Sequence, residues 1–327
     1  MYRRDEPKKR INVIFDDGGL GDNIARLPVV KFIYDYHKHI TVELYVPDYF
    51  KDFAVNCTRG MTDRIKIYNF TEAPAIYTMD NPGYSSSKSG HSNMAQHMTH
   101  NIFQLVCRTN PDDHTYYNYL RPNLKPTDIT KFNLPEKYVV MTTGFTSAVR
   151  EFLPKHINEI TQHIISKGYS VVFLGKKATP TGYEEHVIIG EFKEDIDYSI
   201  GLDLIDQTDL FEAAKIMSNA AAVVGLDNGL LHLAATTDVP IVGGFTTVNP
   251  NHRLPYRKGI MGLYFYPVVP DESLKCRFCQ SNWLFTYDQD FKECRYEDLK
   301  CVKTLKSNKY IEQLEIILDK DKKPSVD

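Results

Sequence analysis

The sequence has no long apolar run and no excess of positive charge. No window approaches the roughly 20 apolar residues of a membrane-spanning helix, and the start, MYRRDEPKKRINVIF, has no apolar stretch of signal-peptide length. These absences predict a cytoplasmic protein without a transmembrane segment. The 39 basic and 42 acidic side chains give a net charge of −3, which leaves no global field to attract a polyanion. Any contact with nucleic acid would be local.

The 327 residues are more than one ordinary core requires, and 42% hydrophobic with 25% charged residues is a globular composition. Strands are expected near 11–15, 40–47 and 64–70, and again near 137–144, 169–175, 186–190, 220–226 and 240–245. Helices are expected between them, at 23–37, 49–56, 94–108, 155–167, 209–219 and 230–236. Such alternation predicts an α/β protein with two doubly wound, Rossmann-like lobes. We expect lobes at 1–130 and 131–305, and a C-terminal helix and tail at 306–327.

A polar stretch at 71–93 is too long for a routine connection. A binding loop and a disordered segment are both open there. If it is a binding loop, we expect it to cover a ligand that is bound at the first lobe.

Cysteine is scarce in most of the chain but crowded near its end. Cys57 and Cys107 are isolated, whereas Cys276, Cys279, Cys294 and Cys301 share one segment. This usage is unlike a secreted disulfide framework. The first pair has zinc-ligand spacing and the second pair is wide, so a structural zinc site and four free thiols are equally open.

The turn GGLGD, with Gly18, Gly19, Gly21 and Asp22, follows a strand and precedes a helix. Its backbone N–H groups could face a ligand. It is not a dinucleotide fingerprint, because Ile24 stands where that pattern needs glycine or alanine. A nicotinamide oxidoreductase is therefore disfavoured. Spacing alone favours Asp22 as an N-cap.

Two segments of the second lobe end strands in the same way. GLDNGLLH places Asp227, Asn228 and Gly229 in a turn, with His232 in the helix that follows. Its alternatives are a plain turn or a ligand site formed by the carboxylate and the amides of Gly229 and Leu230. The segment 142–154 offers hydroxyls and one cation, for which anion binding and loop solvation are both open.

Three stretches in order, GGLGDNIARLP, GFTSAVREFLP and the long segment from Asp203 to Phe245, resemble glycosyltransferase family 9, the heptosyltransferase type. The resemblance runs from about Ile11 to Cys301. It implies the GT-B fold, in which two Rossmann-like lobes face each other across a cleft. It also implies an enzyme that transfers a sugar from a nucleotide diphosphate to an acceptor hydroxyl with inversion, without a catalytic metal or other cofactor.

The resemblance also assigns roles to residues. Asp22 matches the family's Leu-Gly-Asp aspartate, taken as the general base, on the acceptor side with Gly18, Gly19 and Gly21. On the donor side, Arg150 would neutralise the diphosphate, and Asp227, Gly229 and His232 match the family's Asp-x-Gly-x-x-His turn. The other donor-side candidates are Thr146, Ser147, Asn228, Thr246 and Thr247.

The chain departs from the family at two places. Leu153-Pro154 replaces a Trp-Pro pair, and the Gly-Pro-Thr after the last donor-site strand is absent, which leaves Thr246 and Thr247 as candidates only.

The acceptor is open between a lipopolysaccharide-core-like glycan and the hydroxymethylated bases of DNA that similar bacteriophage enzymes are associated with. A phage enzyme would act in the host cytoplasm. Residues 1–137 carry 18 basic and 16 acidic side chains, against 21 and 26 in the remainder, and a slightly cationic first lobe suits either anionic acceptor. The alternative function is non-catalytic binding of a nucleotide or sugar nucleotide. The donor's base and sugar and the oligomeric state are not encoded in any pattern we recognise.

Overall fold

The computed structural model describes residues 9–15, 19–73, 83–85, 97–145, 147–180, 187–189, 192–281, 294 and 296–319. Within these ranges the chain alternates strands and helices, as the sequence predicts. No helix in this described part is both long and apolar enough to cross a bilayer.

The first lobe is built on a parallel sheet of four strands in the order β3-β2-β1-β4. Its elements in chain order are β1 (Lys9–Ile14), α1 (Leu20–Arg26), α2 (Pro28–Tyr36), β2 (Ile40–Val46), α3 (Asp48–Cys57), β3 (Ile65–Asn69), β4 (Gly83–Ser85) and α4 (Met98–Cys107).

The second lobe holds a parallel sheet of six strands. Its elements are β5 (Tyr138–Thr142), α5 (Pro154–Ser166), β6 (Ser170–Phe173), β7 (Ala178–Pro180), β8 (Val187–Ile189), β9 (Leu202–Asp203), α6 (Leu210–Asn219), β10 (Ala222–Leu226), α7 (Gly229–Ala235), β11 (Ile241–Gly244), β12 (Tyr256–Arg257), β13 (Ile260–Met261), β14 (Phe265–Val268), α8 (Lys300–Lys303) and α9 (Ser307–Leu318).

The strand order of the second sheet, β14-β11-β10-β5-β6-β9, is that of a Rossmann fold. After β5 the chain adds strands on one side of the sheet, β6 and β9, and then crosses to the other side to add β10, β11 and β14. The loops after Thr142 and Leu226 therefore run in opposite directions and leave a crevice between them. Ligands of open parallel sheets bind in such a crevice. The two predicted motifs of this lobe both lie there.

Alternation along β5 shows how this sheet is buried on both faces. Val139 and Met141 pack in a core that includes Ile157 of α5 and Leu314 of α9, whereas Val140 packs in the core that includes Leu233 of α7. Successive side chains of a strand point to opposite faces, so one apolar run supplies both layers. The second of these cores continues into the first lobe and joins the two lobes.

The predicted fold class, two facing Rossmann-like lobes, is confirmed, with several local corrections. The helix predicted at 23–37 is two helices, because Pro28 has no N–H to continue α1 and instead begins α2. The strand predicted at 186–190 is β8, which lies outside the main sheet and pairs antiparallel with β7. The six residues between β7 and β8 are too few for a parallel crossover.

The predicted polar loop at 71–93 contains β4, which pairs with β1 at the sheet edge. A three-residue Gly-Tyr-Ser strand has no apolar run by which sequence could reveal it. Residues 74–82 and 86–96, on which the rest of the loop prediction falls, lie outside the described residues. The predicted division at residue 130 stays a prediction.

Candidate active site

A cavity of about 520 Å³ lies between the two lobes. The first lobe contributes the start of α1, and the second lobe contributes the loops after β5, β6 and β10. Its lining includes Gly19, Gly21, Asp22, Tyr49, Phe145, Arg150, Lys176, Phe192, Asp209, Asp227, Asn228, Gly229, His232 and Arg253. The acceptor-side aspartate and the donor-side turn predicted from sequence therefore share one cavity.

Asp22 is the third residue of α1 and is half-buried at the cavity wall. Its Oδ2 accepts a hydrogen bond of 3.0 Å from the backbone N–H of Gly19, which is the N-cap. The expectation that Asp22 is itself the N-cap is therefore wrong: it bonds back to the cap from inside the first turn. This bond fixes the carboxylate at the part of the cavity wall that the first lobe forms.

Asp227 follows β10 directly and is buried, with 9% of its surface exposed. Burial opposes its ionisation, but the contact with His232 and the positive charges of Arg150 and Arg253 outweigh burial and lower the pKa of Asp227 to about 2. The carboxylate is therefore ionised at neutral pH and needs no ligand to balance its charge.

Arg253 is one of the cavity residues that the sequence did not reveal. It follows the short helical turn Pro250–His252 and is 7% exposed. Burial lowers the pKa of its guanidinium, and the negative charges of Asp227 and Asp22 act in the opposite direction. One buried cation thus interacts with a carboxylate from each lobe. Arg253 lies three residues beyond the segment 245–250, in which the family's Gly-Pro-Thr is absent, and no motif in the sequence marks it.

His232 contacts Asp227 through one ring nitrogen and Tyr119, which precedes β5 in the chain, through the other. Its Nε2 lies 3.8 Å from Asp227 Oδ1, too long for a hydrogen bond but within ion-pair range. Its Nδ1 lies 2.8 Å from the hydroxyl oxygen of Tyr119. Sequence motifs pointed to His232 and Asp227, and Tyr119 carries no motif at all.

Asn228 is the N-cap of α7. Its Oδ1 accepts hydrogen bonds from the N–H groups of Leu230 and Leu231, at 3.0 and 3.2 Å. Of the two alternatives for this turn, the one in which the Leu230 amide holds a ligand is not supported, because the Asn228 side chain already accepts the hydrogen bond of that amide. Among the described residues, the positive charges that the second lobe contributes to the cavity lining are Arg150, Lys176 and Arg253.

Three of the remaining predicted donor residues, Ser147, Thr246 and Thr247, are not among the residues that line the cavity. Thr246 donates to the carbonyl oxygen of Val149 at 2.5 Å, and Thr247 donates to Gln280 Oε1 at 2.8 Å. Both hydroxyls therefore brace the loops around the site. Ser147 is buried, and its Oγ has no partner among the described residues. Thr146 and Gly18 fall outside the described residues.

The four clustered cysteines lie within electrostatic reach of one another. Burial raises the pKa of the Cys301 thiol to about 12, and the other three thiols add to that shift. Among the residues that the structure describes, however, no group of three or more His, Cys, Asp or Glu side chains is arranged to hold a metal ion. The geometry as it stands does not fit a tetrahedral site.

Comparison with known proteins identifies a family and several relatives of this chain. The model of glycosyltransferase family 9 (heptosyltransferase) matches residues 87–277, more than half of the chain. Lipooligosaccharide heptosyltransferase 2 of Haemophilus influenzae is 29% identical over 102 residues, which are 31% of this chain and 28% of that protein. The match thus spans less than a third of that curated relative.

Two solved structures share the fold at low sequence identity. The dodecameric, iron-containing glycosyltransferase TibC of enterotoxigenic E. coli H10407 has a TM-score of 0.71 at 15% identity, covering 96% of this chain and 77% of TibC. A TibC structure is in complex with ADP-D-β-D-heptose. ADP-heptose lipopolysaccharide heptosyltransferase II of E. coli has a TM-score of 0.63 at 12% identity, covering 96% of this chain and 100% of that one. These likenesses support the GT-B fold, and the family match shows that the chain belongs to glycosyltransferase family 9, the heptosyltransferase family.

Proposed function

We propose that this protein is an inverting glycosyltransferase that moves a sugar from a nucleotide diphosphate to an acceptor hydroxyl. The observation that carries the proposal is that one cavity holds Asp22 from the first lobe together with Arg150, Asp227 and His232 from the second. Inverting transfer needs a proton acceptor on the side of the sugar opposite the leaving group. Two lobes that face each other provide such opposed sides.

In the proposed reaction, Asp22 accepts the proton of the acceptor hydroxyl as that oxygen attacks the anomeric carbon of the sugar. The bond from the anomeric carbon to the diphosphate oxygen breaks, and its electron pair leaves with the nucleotide diphosphate. Arg150 and Arg253, which both line the cavity, offset the charge that develops on the leaving group. The chain's own cations thus supply the neutralisation that a divalent metal provides elsewhere.

ADP-heptose is the donor to test first, because TibC binds it. For the acceptor, we propose an anionic glycan of the lipopolysaccharide-core type, in keeping with the heptosyltransferase family. Duplex DNA with hydroxymethylated bases is the second acceptor. It requires binding that weakens steeply with salt as phosphate contacts release counterions, and undetectable duplex binding at low salt would exclude it.

The decisive experiment is Asp22→Asn. Asparagine keeps an oxygen that can accept the Gly19 N–H bond, so α1 should form normally, whereas the amide cannot accept the acceptor proton. We expect transfer to fall by at least a hundredfold while the donor dissociation constant stays within about twofold. Asp52→Asn, on the exposed side of α3, is the matched control and should transfer at the wild-type rate.

Two outcomes would contradict parts of this proposal. Turnover retained by Asp22→Asn would remove Asp22 as the base. A wild-type protein that binds nucleotide sugars but neither transfers nor hydrolyses them would support the alternative, a non-catalytic sugar-nucleotide binding protein.

We keep structural zinc at Cys276, Cys279, Cys294 and Cys301 as a separate proposal, with free thiols as its alternative. Its support is the zinc-ligand spacing of Cys276 and Cys279 in the sequence, whereas the described arrangement of the four side chains favours free thiols. No step of the reaction uses this metal. Metal analysis of protein purified without chelator distinguishes one zinc per chain from none.

A further inference from the structure

Tyr119 is fixed between the lobes, with its hydroxyl against the donor turn. The side chain is 4% exposed, and its backbone N–H donates to the carbonyl oxygen of Tyr256 at 3.1 Å. The hydroxyl lies 2.8 Å from Nδ1 of His232, a residue 113 positions away in the sequence. This contact is the shortest polar contact that His232 makes among the described residues.

The direction of this hydrogen bond decides where the proton of a neutral His232 ring sits. If the Tyr119 O–H donates, Nδ1 accepts and the ring proton is on Nε2, the nitrogen that faces Asp227. If Nδ1 carries the proton instead, the Tyr119 O–H must point elsewhere.

Two features of the surroundings favour donation by Tyr119. The other described neighbours of its hydroxyl are the sulfur of Met98 at 4.0 Å, a weak acceptor, and the hydroxyl of Thr99, which interacts as a donor to the phenol oxygen. The reversed arrangement would also turn the lone pair of Nε2 toward the ionised carboxylate of Asp227, 3.8 Å away. Burial raises the pKa of Tyr119, so the hydroxyl keeps the proton that it donates.

We propose that Tyr119 is a positioning residue, whose hydroxyl holds His232 as the tautomer protonated on Nε2 and so directs an N–H toward Asp227. We expect this tautomer to favour donor binding, and that expectation rests on the proposed function of the turn at 227–232. The assignment of the tautomer does not depend on the proposed function.

The direct test is long-range ¹H–¹⁵N correlation NMR of the histidine rings at alkaline pH, where imidazoles are neutral. The His232→Gln variant, which lacks the signal, identifies it. We expect wild-type His232 to carry its proton on Nε2, and Tyr119→Phe to show a mixture of tautomers. Tyr117→Phe is the matched control: that hydroxyl, on a side chain 2% exposed, donates to the carbonyl oxygen of Pro111 at 3.1 Å and should leave the His232 signal unchanged.

Calorimetric titration with a nucleotide diphosphate, ADP first, gives the functional readout. If the tautomer protonated on Nε2 is the one that binds, the donor dissociation constant should rise in Tyr119→Phe by the inverse of that tautomer's fraction, about twofold for an equal mixture, and stay unchanged in Tyr117→Phe. A wild-type His232 protonated on Nδ1, or on both nitrogens, would overturn the proposal. So would a Tyr119→Phe protein with a wild-type spectrum and wild-type affinity. If the wild type binds no nucleotide at all, the proposed function fails, and the spectrum still decides the role of Tyr119.

Discussion

Gly21 of α1 lies directly against the ring of His232 on α7. A methyl group built on Gly21 would lie 2.6 Å from Cδ2 of His232, closer than nonbonded carbons approach. A side chain on Gly229 of α7 would in turn meet Leu20 at 2.8 Å. Two glycines on opposite lobes therefore allow the helices that begin at the cavity to touch, which brings Asp22 and the donor turn into one site.

Gly21→Ala should destabilise the protein by about 1–2 kcal/mol. Alanine favours a helix over glycine by about 1 kcal/mol, but the clash with a ring held by Tyr119 should cost more than this gain. Urea denaturation measures the difference. Gly60→Ala has no heavy atom within 4 Å of the added carbon and serves as the control. If Gly21→Ala is instead more stable than the wild type, the contact between Gly21 and His232 is not tight, and the two lobes can move apart at little cost.

Arg253→Ala should destabilise the fold by about 3 kcal/mol and abolish transfer. Removal of this cation leaves Asp227, which is buried, with one opposing guanidinium fewer, and unpaired buried charge is costly. The exposed Arg121, which forms an ion pair with Asp238 at 2.6 Å, provides the control, since Arg121→Ala should cost less than about 1 kcal/mol. Equal losses in the two variants would contradict a special role for Arg253.

Stability should fall as the pH decreases from about 6.5 toward 3, because of His97. The ring accepts from the Thr99 N–H at 3.2 Å and bonds the Leu254 carbonyl across the lobes at 2.8 Å. Burial lowers its pKa to about 3, and the bond to Leu254 only partly opposes this. The unfolded chain therefore takes up a proton at higher pH than the folded one does, and acid favours unfolding.

Between pH 7.5 and pH 5 this histidine alone should remove about 2 kcal/mol of the free energy of unfolding. His97→Asn keeps an N-cap side chain for α4 and should lose that part of the pH dependence. His39→Asn, at an exposed site, should retain it. Denaturation midpoints at the two pH values measure the effect, and identical pH profiles for His97→Asn and wild type would refute it.

ADP should raise the melting temperature by roughly 5 °C at a hundred times its dissociation constant, since binding to the folded state alone then adds about 2.7 kcal/mol. The shift should disappear in Arg150→Ala, which lacks a cation of the donor side, and persist in Arg121→Ala. A larger shift with another nucleoside diphosphate would change the proposed donor.

The sequence by itself determined the two α/β lobes. The strands of a parallel sheet are buried on both faces and therefore need short apolar runs, and these runs and the glycine-rich turns after them can be recognised locally. It also determined Asp22, Arg150, Asp227 and His232 as candidates, since each belongs to a motif that connects a strand to the helix after it. Tertiary structure alone decided the rest. Arg253 and Tyr119 enter the site from segments without any motif. Tyr119 contacts His232, 113 residues away, and Arg253 interacts with Asp227 of its own lobe and Asp22 of the other, so only folding brings these groups together. The same holds for Thr246 and Thr247, whose hydroxyls turned out to brace neighbouring loops, because the direction of a side chain depends on packing that no short pattern records.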